Sequence, residues 1–263
     1  MATYAEVVNN NGKIVIDDTT GRLCRTRTLH LAAGYGTWEY AYIYGINMDD
    51  YAINGFSIYD VQLNSNEKFI AVRAKHGHDN VAVFVSAMSG NLFRVYLIGT
   101  WSDPNTHADD YLIDVYGTDP NRSHNNGLQI FNASANKIFD SNEYFMNVVG
   151  TYSYDTSSLS IKTLQTELPK TLSIGSGMSV ENNSVVIGGN TRLFARSGSR
   201  PEPNYQSLYG VNFASNGVIK LILRCSTLVL SWPGGLPPTF SACNMGVFLN
   251  HENMPERNDG TLS

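Results

Sequence analysis

The feature that most constrains the fold is an internal repeat joining the start of the chain to its middle. Residues 6–18 read EVVNNNGKIVIDD, and residues 129–141 read QIFNASANKIFDS. Without a gap, Asn9 aligns with Asn132 and Asp17 with Asp140. Each copy has a strand-like run, a polar turn, a second strand-like run and an Asp. Self-similarity at a long period indicates a duplicated structural unit.

Further matches follow downstream in the same order, although the offset drifts. They pair 55–58 with 177–180, 68–73 with 191–196, 89–93 with 216–220, and 111–116 with 227–232. Because β-strands resemble one another, each match is weak alone, and it is their shared order that favours a tandem duplication. The predicted units are residues 1–123 and 124–232, followed by an extension at 233–263.

The hydrophobic pattern within each copy has a period of two residues. It is seen in FIAVRA at 69–74, YLIDVY at 111–116 and IKLILR at 219–224. This period places successive side chains on opposite faces of a strand. Turn residues at 10–12, 89–91 and 215–217 are Gly, Asn and Ser, which favour hairpins. The chain is therefore predicted to be all-β, with two tandem antiparallel β-sandwiches.

The segment 233–263 differs from both copies. Prolines interrupt its start, and no charged residue occurs between Cys225 and His251. We predict a mostly irregular C-terminal extension outside the second sandwich. Its apolar side chains would be exposed unless they packed on a neighbouring subunit or on the two domains; these are Phe240, Met245, Val247, Phe248 and Leu249. The extension is therefore expected to be an arm that strengthens assembly.

Composition excludes several classes of function. Charged residues make up 16% of the chain, below the roughly 25% of soluble domains, which fits either a covered surface or a polar Asn/Ser/Thr-rich one. A net charge of −5 without basic runs argues against nucleic-acid binding. No apolar window is long enough for membrane insertion, and residues 1–11 do not resemble a secretory signal. Three widely spaced cysteines indicate reduced thiols in a protein made in a cytoplasm.

Motifs for catalysis are not found. The glycines at 34–36 lack the Lys-Ser/Thr of a phosphate loop, and the glycines at 175–177 have the wrong spacing for a nucleophile elbow. Adjacent carboxylates occur at 17–18, 49–50 and 109–110, but neighbours on a strand point to opposite faces and cannot flank a glycosidic bond. We expect no catalytic residue, no enzymatic activity and no cofactor.

One pair of histidines has a spacing that could form part of a metal site. His76 and His78 are separated by one residue, and on an extended segment their imidazoles would face the same way and could share a metal. The favoured alternative is a hydrated loop between the strands at 71–73 and 81–85. No other His or Cys cluster offers a third or fourth ligand, so the sequence predicts no metal.

The repeated unit resembles a known family. GLQIFN at 127–132 followed by KIFDS at 137–141 is similar to the opening of small tail proteins of tailed double-stranded-DNA bacteriophages. Residues 4–18 resemble the same opening less closely. The resemblance covers about the first fifteen residues of each copy and carries over no catalytic residue. It implies a virion component near the tail tip, in a baseplate or a fibre.

The expected function is therefore structural. The chain is expected in the virion tail, made in the bacterial host cytoplasm, as a homo-oligomer (a trimer) that contacts other tail proteins and contributes to host attachment. One alternative is a lectin-like receptor-binding protein whose aromatics stack on sugar rings; these are Tyr35, Trp38, Tyr40, Tyr42 and Trp101. The same aromatics also suit core or intersubunit contacts. A second alternative is a glycan depolymerase.

The residues that mark the repeat have a physical role of their own. Side-chain oxygens at the end of a strand or hairpin accept hydrogen bonds from backbone N–H groups of the adjoining turn. We therefore interpret Asn9, Asp17, Asn132 and Asp140 as residues that support the fold, not as a site.

Overall fold

The structure is a computed structural model, and its described residues fall into sixteen ranges. They are 5–9, 12–16, 23–33, 42–43, 46–47, 56–88, 90–99, 105–118, 127–131, 137–155, 171–174, 177–188, 191–195, 204–229, 243–252 and 254–263. The strands, sheets and buried clusters of the fold lie within these ranges.

Strands account for nearly all of the regular structure. They are β1 (Ala5–Asn9), β2 (Gly12–Ile16), β3 (Cys24–Leu31), β4 (Tyr42–Ile43), β5 (Ile46–Asn47), β6 (Phe56–Gln62), β7 (Glu67–Ala74), β8 (Ala82–Ala87), β9 (Leu92–Ile98), β10 (Tyr111–Gly117), β11 (Gln129–Phe131), β12 (Lys137–Asp140), β13 (Val148–Asp155), β14 (Thr171–Ser173), β15 (Asn183–Ile187), β16 (Thr191–Ala195), β17 (Asn204–Phe213), β18 (Ile219–Val229), β19 (Cys243–Asn250) and β20 (Thr261–Leu262). In the same ranges the helical structure is a 3-10 turn at Ala108–Asp110, and no helix there is long and apolar enough to cross a membrane. The all-β prediction is confirmed.

Two seven-stranded sheets organise these strands. Sheet I has the order β13-β19-β15-β7-β10-β3-β20. Sheet II has the order β14-β18-β17-β8-β9-β6, and β16 also pairs with β17. The pairs are antiparallel, apart from the parallel pair of β20 with β3. Three further two-stranded pairs are β1–β2, β4–β5 and β11–β12.

A single large cluster of buried apolar side chains draws on both sheets. Val72 and Ile113 from sheet I belong to the same cluster as Val83, Leu97 and Val211 from sheet II. All five are 0% exposed. The alternation in the sequence explains this arrangement, because it places every second residue of β7, β9 and β10 on one face.

Neither the tandem duplication nor the two separate sandwiches is confirmed. Both copies of the repeat open with a hairpin, in which Asn9 pairs with Gly12 and Ile130 pairs with Phe139. Beyond these hairpins, strands from both predicted units lie in the same sheets. Val185 of β15 pairs directly with Val72 of β7, for example. Strand likeness in the sequence therefore does not identify which strands become neighbours.

The prediction of an irregular extension is wrong for residues 243–250. They form β19, which lies between β13 and β15 inside sheet I. Phe248 and Leu249 are buried, Val247 is half-buried and Met245 is exposed, while Phe240 lies outside the described residues. The stretch lacks charges because it crosses the interior of a sheet, and the prolines precede the strand instead of interrupting it.

Candidate functional site

Two connections between the sheets meet at one end of the molecule. The connection at residues 75–81 leads from β7 in sheet I to β8 in sheet II, and the chain returns from β9 in sheet II to β10 in sheet I. The first carries His78, and the second carries His107 and Asp110. Their imidazole and carboxylate ligand atoms all lie within 4.8 Å of one another.

The position of His78 is determined by its contacts with sheet II. Its backbone N–H donates a 2.6 Å hydrogen bond to the Phe213 carbonyl. The buried Asn212 side chain donates to the carbonyls of His78 and Val81, both at 2.7 Å. At Gly77, a Cβ atom would lie 1.9 Å from the Ala214 carbonyl oxygen. The loop therefore fits against β17 only with glycine before the histidine.

His107 and Asp110 are placed by a tight turn. His107 has φ 46° and ψ 43°, a left-handed conformation that is unusual for a residue with a side chain. Its N–H donates to Asn105 Oδ1 at 2.9 Å, and the N–H of Asp110 donates to the His107 carbonyl at 3.0 Å. The Lys75 N–H donates to the Asp110 carbonyl at 2.7 Å, which joins the two connections.

The three side chains form a compact, partly exposed group. The rings of His78 and His107 stack with centroids 3.9 Å apart and planes 5° apart. His78 Nε2 lies 2.7 Å from Asp110 Oδ2, and these two side chains are 20% and 25% exposed. The group is therefore partly open to solvent, while backbone hydrogen bonds fix the positions of the residues that carry it.

Tyr111 closes the buried side of this group. Its ring is tilted against His78 at a centroid distance of 6.4 Å and meets Phe213 edge-on. Burial raises the pKa of the Tyr111 phenol well above its ordinary value, and the negative Asp110 carboxylate raises it further. The phenol therefore stays protonated and does not compete with the histidines as an anionic ligand.

Two imidazoles and a carboxylate form a donor set with defined chemistry. These ligands suit zinc and other first-row divalent transition metals, and three protein ligands leave positions for water. A His78–Asp110 pair by itself can orient an imidazole for proton transfer. Because His107 supplies a third ligand atom within 4.8 Å of both groups, the arrangement matches a metal site.

The structure changes the histidine prediction. The chain bends at Lys75 and His76, so the extended geometry needed for a shared His76–His78 site is not formed. His76 is exposed and lies outside the cluster. Spacing along the chain offered no third ligand, whereas the structure brings His107 and Asp110, which lie far from His78 in sequence, within 4.8 Å of it. A usable signal was their spacing of three residues just before the strong strand at 111–116.

Of the four residues that mark the repeat, the structure describes the side chain of Asp140. Asp140 is buried and accepts hydrogen bonds from the Asn142 N–H and the Gln129 side chain, both at 2.9 Å. That is the kind of bond the sequence predicts at the end of a hairpin. Asn9 ends β1, but its side chain lies outside the described residues, as do Asp17 and Asn132.

The aromatic residues considered for sugar binding are mostly not placed. The backbone of Tyr42 begins β4 and pairs with Asn47, whereas its side chain lies outside the described residues. So do Tyr35, Trp38, Tyr40 and Trp101.

Comparison with protein-family models, with curated proteins and with solved structures finds no match to this chain. Its function is therefore inferred from its own sequence and geometry.

Proposed function

We propose that the chain is a non-enzymatic structural component of a bacteriophage tail, located in a tail fibre, tail tip or baseplate. It works by assembling into a homotrimer and with other tail proteins, and so contributes to host attachment. Its two sheets are proposed to pack face to face as a sandwich, which the shared apolar core supports. The phage assignment depends on the resemblance of the repeat openings to small tail proteins.

One observation carries the assembly proposal: exposed apolar side chains lie on the two strands at the β13 edge of sheet I. Val148 and Val149 on β13 are 48% and 39% exposed. Met245, on the neighbouring strand β19, is 48% exposed. Isolated exposed apolar residues need no explanation, but a group of this kind marks an interaction surface.

The backbone at this edge supports the same conclusion. Strand β13 spans eight residues and pairs with β19 on one side. In the described part of the chain, no strand pairs with its other side. An uncovered edge strand is a template for association, and natural proteins normally protect such edges. We propose that a second copy of the chain covers β13, in a heterologous contact that closes into a ring of three.

The test compares charge insertion at this edge with charge insertion elsewhere. Val149→Glu adds a charge to β13, and Met88→Glu is the control, since Met88 on the β8–β9 hairpin of sheet II is also 39% exposed. At micromolar concentration, the mass from light scattering should be trimeric for the parent chain and for Met88→Glu. It should be smaller for Val149→Glu, with unchanged circular dichroism.

Two results would contradict the assembly proposal. One is a parent chain that remains monomeric at these concentrations. The other is a Val149→Glu chain that keeps the parent mass. Labelling of virions with an antibody against the chain, viewed in negative stain, tests the phage part separately, since it should decorate the tail and not the head.

A further inference from the structure

We propose that His78, His107 and Asp110 bind one divalent transition-metal ion within each chain, and that Zn²⁺ fits this site best. The bound ion holds together the two connections between the sheets. This inference does not depend on the proposed role in a phage tail. It follows from the donor set, from the way the backbone holds the ligands, and from their place in the fold.

The donor set selects the class of metal. Imidazole nitrogen is a good ligand for zinc, nickel, cobalt and copper, whereas calcium and magnesium prefer sites made of oxygen atoms. A site with two histidines and one carboxylate resembles a zinc centre with three protein ligands and room for water. The partial exposure of His78 and Asp110 leaves a path for the ion and its water.

Each ligand is held by a separate backbone constraint. Gly77 and Asn212 hold His78 against β17. The left-handed conformation of His107 directs its side chain from the start of the 3-10 turn. The hydrogen bond from Lys75 to the Asp110 carbonyl keeps the two connections in contact. Ligands that are already close lose less conformational entropy on binding than ligands collected from a flexible chain.

Metal binding requires a small side-chain movement. The lone pairs of an imidazole lie in the ring plane, so two parallel rings with centroids 3.9 Å apart cannot both point at one ion without a change in their relative tilt. Both nitrogens can reach a common ion at about 2.0–2.1 Å if the rings splay apart. The 2.7 Å contact of His78 Nε2 with Asp110 Oδ2 is then replaced by bonds from both groups to the ion, and any proton held between them is released.

The place of the site gives the ion a structural consequence. His78 lies on the chain that leaves sheet I for sheet II, and His107 and Asp110 lie on the chain that returns. An ion bound to all three links the ends of β7, β8 and β10. A ligand that binds only the folded state stabilises it by mass action. We therefore expect the melting temperature of the full chain to rise with zinc concentration and to fall again when EDTA is added.

The experiment uses the full chain after treatment with EDTA, titrated with ZnCl₂ in a calorimeter and with CoCl₂ in a spectrophotometer. The main variant is His107→Asn, because Asn tolerates a positive φ and removes the imidazole without disturbing the turn. Asp110→Asn removes the carboxylate charge. His76→Ala is the matched control, since it removes an exposed imidazole of the same loop that lies outside the cluster.

The parent chain and His76→Ala should each bind one zinc ion per chain and show the visible absorption of cobalt bound to nitrogen. His107→Asn and Asp110→Asn should bind zinc at least tenfold more weakly and lose the zinc-dependent rise in melting temperature. Circular dichroism checks that these variants fold. If one does not, the cobalt spectrum and stoichiometry of the parent chain still decide.

Three results would overturn the proposal. The parent chain could bind no zinc at micromolar concentration. His107→Asn could bind as tightly as the parent, or His76→Ala could lose binding. A stoichiometry of one ion per three chains would place the ion between copies and would also refute a site within each chain.

Discussion

The charge at Asp114 is predicted to be among the most important for stability. Asp114 is fully buried on β10, where its Oδ2 lies 2.8 Å from Arg73 Nε and its Oδ1 lies 3.6 Å from Arg25 Nη1. Thr28 Oγ1 donates a further hydrogen bond to Oδ1 at 2.6 Å. Both arginines are buried as well, at 1% and 7% exposure. The Asp114 carboxylate therefore lies beside two guanidinium groups that water scarcely reaches.

Asp114→Asn keeps the size of the side chain and removes its charge. Breaking a buried ion pair by removing one partner typically costs about 3–5 kcal/mol, because the remaining charge is left uncompensated. Total stabilities of about 5–15 kcal/mol are usual, so the variant is expected to lose a large part of its free energy of unfolding. Urea denaturation followed by circular dichroism measures this loss.

The matched control is Asp60→Asn. Asp60 pairs with Arg94 through two short contacts of 2.6 and 2.7 Å, but these side chains are 44% and 31% exposed. Water screens such a pair, so the control should lose only about 0–1 kcal/mol. The reasoning is refuted if Asp114→Asn loses no more stability than Asp60→Asn. If Asp114→Asn does not fold, the double variant with Arg25→Met should recover part of the loss, since it removes one of the uncompensated charges.

Two further predictions concern the end of sheet I. Burial and the nearby Arg73 charge lower the pKa of His251 to about 4, from about 6.5 in an unfolded chain. The unfolded state therefore binds the proton first, and stability falls as the pH drops from 6.5 towards 4, by about 2 kcal/mol at pH 5. Urea unfolding at pH 7 and pH 5 should show a smaller fall for His251→Gln, and an unchanged fall would contradict this assignment. Deleting residues 243–263 removes β19 with the buried Phe248 and Leu249, so the truncated chain should lose its cooperative unfolding transition in circular dichroism. A truncated chain that still unfolds cooperatively would show that β19 is dispensable.

Local patterns in the sequence predicted the strands and their turns well. Tyr111, Ile113 and Val115 alternate in the sequence and all belong to the core cluster. Gly90 and Gly217 lie in the predicted hairpin turns and have positive φ angles of 73° and 80°. Both results follow from short-range sterics, since the period of a strand and the conformation of a turn are properties of a few neighbouring residues.

The sequence could not predict which strands pair or what covers the outer face of sheet I. Alternation also places Asp114 and Tyr116 on the face away from the core, yet both are 0% exposed. Met146 packs near Tyr116 in a second apolar cluster, and the Tyr144 ring lies 5.0 Å from the Arg25 guanidinium. These contacts join segments far apart in the chain, and a period of two carries no information about such partners.

For the same reason, the sequence indicated only one of the three candidate metal ligands, His78. The spacing of His76 and His78 indicated that the two could share a metal, but the chain bends at Lys75 and His76, and His76 lies outside the cluster. The other two ligands, His107 and Asp110, come from a connection whose approach is set by the pairing of β10 with β7. The ligand set is therefore a product of topology: spacing marks His107 and Asp110 as a pair, but it does not encode their approach to His78.

The interleaved order of sheet I has a consequence for how the protein folds. The central strands β7 and β10 are synthesised early, but β7 obtains its second neighbour only with β15, and β15 its own with β19. Proteins dominated by such distant pairings fold slowly, on the order of milliseconds to seconds, because long loops must close before contacts form. Until then, the growing chain presents hydrophobic strand edges to its surroundings. We expect its yield of native protein to depend on the rate of synthesis and on chaperones that shield these edges on the ribosome.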